Sequence, residues 1–199
     1  MRVFSYKMAR DYGFAPNPFH GYCTLATCKP NIRRHAGPGD LVVGCGSVGN
    51  DLVGRAIYVM RVSESMGFQQ YWDDPRFLLK RPNLFASRMR AFGDNIYHQD
   101  GGDWIQEDSH HSFEGGGLNE ANLRTDTGAD NVLISQDFAY WGRDAIVIPE
   151  NLRDFNGDDL YSNVRDRRAR FAPDFVQAID AWFVSLESRG YLGRPEAWS

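Results

Sequence analysis

Short apolar runs separated by polar connections divide the chain, and the period within each run predicts its element. Residues 2–9, RVFSYKMA, set Val3, Ser5 and Lys7 against Phe4, Tyr6 and Met8, the two-residue period of a strand. Residues 11–22, DYGFAPNPFHGY, are rich in proline and glycine and read as turns. Residues 24–36, TLATCKPNIRRHA, fit a short helix, but Pro30 would break its interior, so a break or a helix starting near that proline is predicted. Leu41 to Val43 and GRAIYVMRVSES (54–65) are apolar runs joined by a glycine-rich connection, which predicts an antiparallel hairpin. Phe68, Tyr71 and Trp72 have helical spacing, stopped by Pro75. The runs NVLISQDFAYWG (131–142) and DAIVIP (144–149) read as further strands. Near the C-terminus Phe175, Ile179, Trp182, Phe183 and Leu186 share one face of a helix that starts at Pro173 or Asp174, with Gly190 as its stop.

This order lacks alternating parallel βαβ units and so disfavours a doubly wound fold. It predicts an α+β domain built on a small, curled, mostly antiparallel β-barrel with flanking helices. Residues 1–150 form the barrel domain in this reading. Residues 151–199 form a C-terminal helical extension packed on the same domain, and Trp182 with Phe183 serves its core or a small homodimer interface.

Composition narrows the functional classes. With 199 residues, 42% hydrophobic and 24% charged, the chain is long and apolar enough for a real core. The formal net charge of −4 advertises no polyanion partner, so any nucleic-acid role rests on local basic patches or on a single nucleotide in a pocket. No stretch reaches the ~18 apolar residues that span a bilayer. The N-terminal MRVFSYKMARDYG has no apolar core of a secretory signal. Cys23, Cys28 and Cys45 are few and odd in number, unsuited to a disulfide framework. A cytoplasmic, reduced protein with no membrane partner is expected.

The densest chemistry lies in DNIYHQDGGDWIQEDSHHS, residues 94–112, which holds three of the five histidines. Its ligand types would suit a transition metal, but the helical H-x-x-x-H spacing is missing, and His110 and His111 would face opposite sides of a strand. A second set, His20, Cys23, Cys28 and His35, departs from zinc-knuckle spacing, and both cysteines read as buried small hydrophobes. No metal and no cofactor are expected. For nucleophilic catalysis Ser109, Ser112 and Cys45 are candidates, but no G-x-S-x-G elbow is present. Base binding asks for ring faces and edge-reading polar groups. Tyr97 and Trp104 offer faces; Asn95, His98, Gln106, Ser109, His110 and His111 offer edges; Lys29, Arg33 and Arg34 offer phosphate contacts, and glycines 44, 46 and 49 a close backbone approach. The bland alternative is a surface hairpin with solvated acids. The arginine run at 165–170 reads as a solvated face, with a phosphate-contacting edge as its alternative.

The strings RVFSYKMARDYGFAPNPFHGYCTLATCKPNIRR, GDLVVGCGS, GRAIYVMRV, YWDDPRF, GDNIYH and SHHS together resemble the nucleotide modification associated domain 2 family. The resemblance covers about residues 1–148. It implies a setting in bacteria or phages and an association with DNA base modification. The GD–strand–glycine–strand portion is also similar to the PUA, ASCH and EVE barrels, which bind bases in RNA or modified bases in DNA. The expected partner is a nucleotide, or a nucleic acid carrying a modified base. Two alternatives stay open: an enzyme acting on a nucleotide or base through histidine general acid/base chemistry, and a protein-interaction module of a phage or defence system.

Overall fold

The alternation in residues 2–9 becomes strand β1 (Val3–Lys7), and a computed structural model describes residues 1–166 and 169–198 of the chain. Next come β2 (Cys23–Leu25), α1 (Pro30–His35), β3 (Leu41–Cys45), β4 (Arg55–Arg61) and β5 (Glu64–Met66). They are followed by α2 (Phe68–Asp73), α3 (Arg88–Ala91), β6 (Tyr97–Asp100), β7 (Asp103–Gln106) and α4 (Glu120–Thr127). The chain ends through β8 (Val132–Ser135), β9 (Asp137–Tyr140), β10 (Ile146–Val147), α5 (Pro173–Ser185) and β11 (Gly190–Tyr191). Pro30 does open a helix, where its missing N–H costs nothing.

β3 and β4 form the predicted antiparallel pair, with Leu41 opposite Arg61 and Val43 opposite Val59. β1 lies parallel to β3, β9 antiparallel to β4 and β11 parallel to β9. The sheet therefore runs β1-β3-β4-β9-β11, with β10 beside β4. The expected curled, mostly antiparallel barrel is thus corrected to an open mixed sheet. Its terminal strands β1 and β11 do not pair with each other among the described residues. A parallel β1–β3 pair needs a crossover, and that crossover carries β2 out of the sheet. β2 joins β8 and β5 in a separate antiparallel sheet, and β6 with β7 makes a third.

Both faces of the large sheet are covered, so β1, β3 and β4 are buried nearly end to end. On one face α5 packs Phe175, Ile179 and Phe183 against Val3, Leu41, Val43 and Val59. On the other, Phe4, Tyr6, Val42, Tyr58 and Met60 meet Cys23, Leu25 and Ile32. Each such aromatic or aliphatic side chain contributes roughly 1.5–3 kcal/mol of burial. Gly190 is not the stop of α5, another correction. The helix ends at Ser185, where the Arg189 guanidinium takes the carbonyls of Phe183 and Leu186, and Gly190 opens β11. Gly44 and Gly46 are close-approach positions, but to the chain itself: a Cβ there would stand 2.4 Å from Met8 and Tyr58, or 2.1 Å from the Leu52 carbonyl. Among the described residues no helix is long and apolar enough to cross a membrane.

Candidate functional site

Between β2 and α1 the chain makes a sharp turn in which Cys28 and Lys29 both adopt left-handed backbone, with φ of 57° and 43°. Two consecutive non-glycine residues in this region are strained, and such a turn persists only where its surroundings hold it. Here Asp126 of α4 and Arg33 of α1 do so. The Cys28 N–H donates to Asp126 Oδ1 at 2.8 Å, and the Arg33 Nε donates to the Cys28 carbonyl at 2.8 Å. The Arg33 guanidinium also donates to the carbonyls of Asp126, Ala129 and Asn131. Arg33 is fully buried and faces main-chain oxygens rather than open space.

The strained turn presents Cys28 to His111. Cys28 Sγ and His111 Nε2 lie 3.4 Å apart, and His111 Nδ1 is 2.9 Å from Asp126 Oδ2. Burial disfavours the His111 imidazolium, but the bonds to Asp126 and Cys28 outweigh it and raise the ring to about 9. Behind the carboxylate, Tyr97 donates its hydroxyl to Asp126 Oδ2 at 2.9 Å and receives Gln106 Nε2 at 3.2 Å. Asn122 of α4 donates to the His111 carbonyl at 2.9 Å and Ser109 Oγ accepts the His111 N–H at 3.2 Å. Thiol, imidazole and carboxylate are therefore aligned by four separate pieces of chain.

Cys28 and His111 line a cavity of about 500 Å³. Its aromatic wall is Tyr6, Tyr12 and Phe14, with the His110 ring 4.4 Å from Tyr12. Burial lowers the pKa of His110, and the neighbouring His111 charge adds to the effect. Its charged lining residues are Lys7, Arg10, Lys29 and Arg165, with no Asp or Glu among the described lining. Lys29 Nζ sits 4.6 Å over the Tyr6 ring and donates to the Arg165 carbonyl. A second, broader cavity lies on the other side of His110, between Trp72, Arg81–Phe85 and residues 107–116.

The structure brings together some of the sequence-predicted site residues and separates others. His110 and His111 both face the first cavity, because residues 109–112 form a turn rather than a strand. Lys29 lines it as well, and Tyr97 with Gln106 stands directly behind it. Arg34 instead caps the Gly128 carbonyl from outside at 2.7 Å. Asn95 is buried against the carbonyls of Tyr71 and Phe77. His98 stacks on Trp72 at 4.0 Å and pairs with Glu107 at 2.8 Å, and Trp104 packs edge-on to Phe68. Ser109 lies on the second cavity. Of the nucleophile candidates, Cys45 is buried, its thiol pushed up to about 12 by burial, and Ser112 is tied to Glu107 and Ser109. Asp126, Tyr12 and Phe14 carry no sequence signal that singles them out. Cys28 enters the sequence reading only through the rejected zinc set, as a buried small hydrophobe, and that is corrected: it is half-buried and lines the cavity. The arginine run reaches the cavity through Arg165, while residues 167 and 168 lie outside the described residues. Among those described, no cluster of three or more His, Cys, Asp or Glu side chains could hold a metal ion.

These features define an α+β domain with a basic, aromatic cavity over an aligned cysteine, histidine and aspartate. The family model for nucleotide modification associated domain 2 matches residues 1–199, and the chain belongs to that family. No curated protein and no solved structure matches it.

Proposed function

We propose that the cavity binds a nucleotide, its base among Tyr12, Phe14 and His110 and its phosphate toward Lys29, Arg10 and Arg165. The observation that carries this reading is the charge of the lining. Among the described residues, a chain of net charge −4 has gathered only basic charged side chains in the lining of one aromatic cavity. Aromatic faces suit a base and converging cations suit a phosphate. The family's association with nucleotide modification supports the same ligand class, and a modified base is the variant of it that we favour. The reading moves the ring faces from Tyr97 and Trp104 to Tyr12 and Phe14, and retains His110, His111 and Lys29.

The test is calorimetric titration with a panel of normal and base-modified nucleotides. Tyr12→Ala should weaken binding across the panel by about 1–3 kcal/mol, the usual worth of a stacking face. Lys29→Ala should weaken nucleotides but not the corresponding nucleosides. Trp104→Ala should leave affinity within about 0.5 kcal/mol, the level of distant substitutions. Wild-type affinity that is lost with Trp104 and indifferent to Tyr12 would place the site elsewhere.

A further inference from the structure

We propose that Cys28, His111 and Asp126 form a thiol acyl-transfer centre that hydrolyses an amide or ester substituent on a nucleotide held in the same cavity. The inference rests on the nucleotide-binding reading for its substrate, but its chemistry stands on separate geometry. Nucleophile, base and orienting carboxylate follow one another at 3.4 and 2.9 Å, the arrangement in which a carboxylate fixes the imidazole and the imidazole serves the thiol. Asp126 faces Nδ1, which leaves Nε2 directed at the sulfur. The strained turn lifts Cys28 into the cavity, between a strand and a helix, where a substrate can reach it. Cys23 and Cys45, by contrast, are wholly buried.

Among the described residues, the charged and titratable groups around the pair are Lys7, Arg10, Lys29, Arg165, His110, Tyr6 and Tyr12 on the cavity side, and Arg33 and Tyr97 behind Asp126. They leave the imidazolium as the acid nearest the thiol. A leaving amine or alkoxide needs a proton as it departs, and an imidazolium at bonding distance from the nucleophile supplies it. That requirement selects acyl substituents over leaving groups that depart as stable anions.

In the first step Cys28 Sγ, its proton lodged on His111 Nε2, adds to the carbonyl carbon. The C–N or C–O bond breaks, and Nε2 delivers its proton to the leaving nitrogen or oxygen. In the second step a water molecule gives a proton to Nε2 while its oxygen attacks the thioester. The C–S bond then breaks, its electron pair returns to sulfur, and the acid is released. One water is consumed, and nothing is oxidised or reduced.

Two measurements on the full chain test this. The first is alkylation by iodoacetamide, read by peptide mass as a function of pH. Near pH 6, Cys28 should react at least about tenfold faster in wild type than in His111→Gln, because the ring that assists the attack of the sulfur lies 3.4 Å from it. Asp126→Asn, which keeps an oxygen for the Cys28 N–H that holds the turn but loses the carboxylate beside His111 Nδ1, should move the wild-type profile toward that of His111→Gln. Equal Cys28 rates in wild type and His111→Gln across the pH range would overturn the proposal. The second uses N-acetyl-deoxycytidine monophosphate and an O-acetylated nucleotide, reading acetate release and acetylation of Cys28 after acid quench. Wild type should release acetate and carry the acetyl group on Cys28, and Cys28→Ala should do neither. Protection of Cys28 from alkylation by these nucleotides without acetate release would overturn the acyl-transfer centre while leaving nucleotide binding intact. Reactive Cys28 that no nucleotide protects would strike the binding reading itself, and with it the substrate proposed here.

Discussion

Two polar clusters are built from the same short segment around β2, and they differ in what they face. Thr24, in the strand, belongs to a sealed cluster. Lys80 Nζ donates there to the Asn17 carbonyl, Asn17 Oδ1, the Tyr22 carbonyl and Thr24 Oγ1 at 2.7–3.1 Å. Asp94 accepts the hydroxyls of Thr24 and Tyr71 at 2.6 and 2.8 Å. Both charged residues are buried, and burial pushes the Lys80 ammonium down to about 8. Cys28, four positions further on, belongs to a cluster of similar chemistry that opens on a cavity. In the first, the donors and acceptors close on one another and join the loop at Asn17, the 3-10 turn at Pro75–Lys80 and β2. In the second, the thiol has a protein partner on one side and space on the other. Buried ionisable groups alone do not mark a functional site; access for a reacting atom separates these two.

The comparison breaks most visibly at Asp94. Asp94→Ala leaves the buried hydroxyls of Thr24 and Tyr71 without their acceptor and removes the carboxylate that reaches the Lys80 ammonium through Thr24, so unfolding free energy should fall by about 2–4 kcal/mol in urea titration. A loss below about 1 kcal/mol would mean that the sealed cluster is not structural.

A smaller effect is expected from pH. The folded value of His111, about 9, stands above its unfolded value of about 6.5. A raised histidine contributes stability fully below the unfolded value and loses it as pH rises through the folded one. Wild type should therefore lose up to about 3 kcal/mol between pH 6.5 and 9 relative to His111→Gln. Parallel stability curves for the two proteins would contradict the pairing of His111 with Asp126.

The smallest effect sharpens the contrast. Cys28→Gly removes the thiol but relieves a left-handed backbone, a strain of roughly 1–2 kcal/mol for a residue with a Cβ. At about pH 6 the variant should be as stable as wild type or gain about 1 kcal/mol, while losing the alkylation described above. A clear destabilisation would show that the turn is not strained for the sake of the thiol.

Much of the fold was legible before any coordinates. The β3–β4 hairpin, the helix opening at Pro30, the helix from Phe68 halted before Pro75 and the inward face of α5 all follow from local period, proline geometry and glycine. The open, mixed sheet was not, and a closed barrel was expected in its place, because closure depends on which strands meet and period says nothing about that. The same division runs through the site. The run 94–112 is recognisably dense in chemistry, but a strand reading of it puts His110 and His111 on opposite faces. A turn stabilised by Ser109 and Ser112 instead directs both rings to one cavity.

What the sequence by itself determined was local: most element types, the apolar faces and the family, whose model spans all 199 residues. What the tertiary structure decided was which distant groups touch. Cys28 and His111 are 83 residues apart, and Cys28 and Asp126 are 98 apart. No periodicity operates over such separations. Their meeting depends on β2 pairing with β8 and on α4 entering just before that strand. Those contacts are selected by burial of whole faces, so the aligned thiol, imidazole and carboxylate exist only once the sheets have packed.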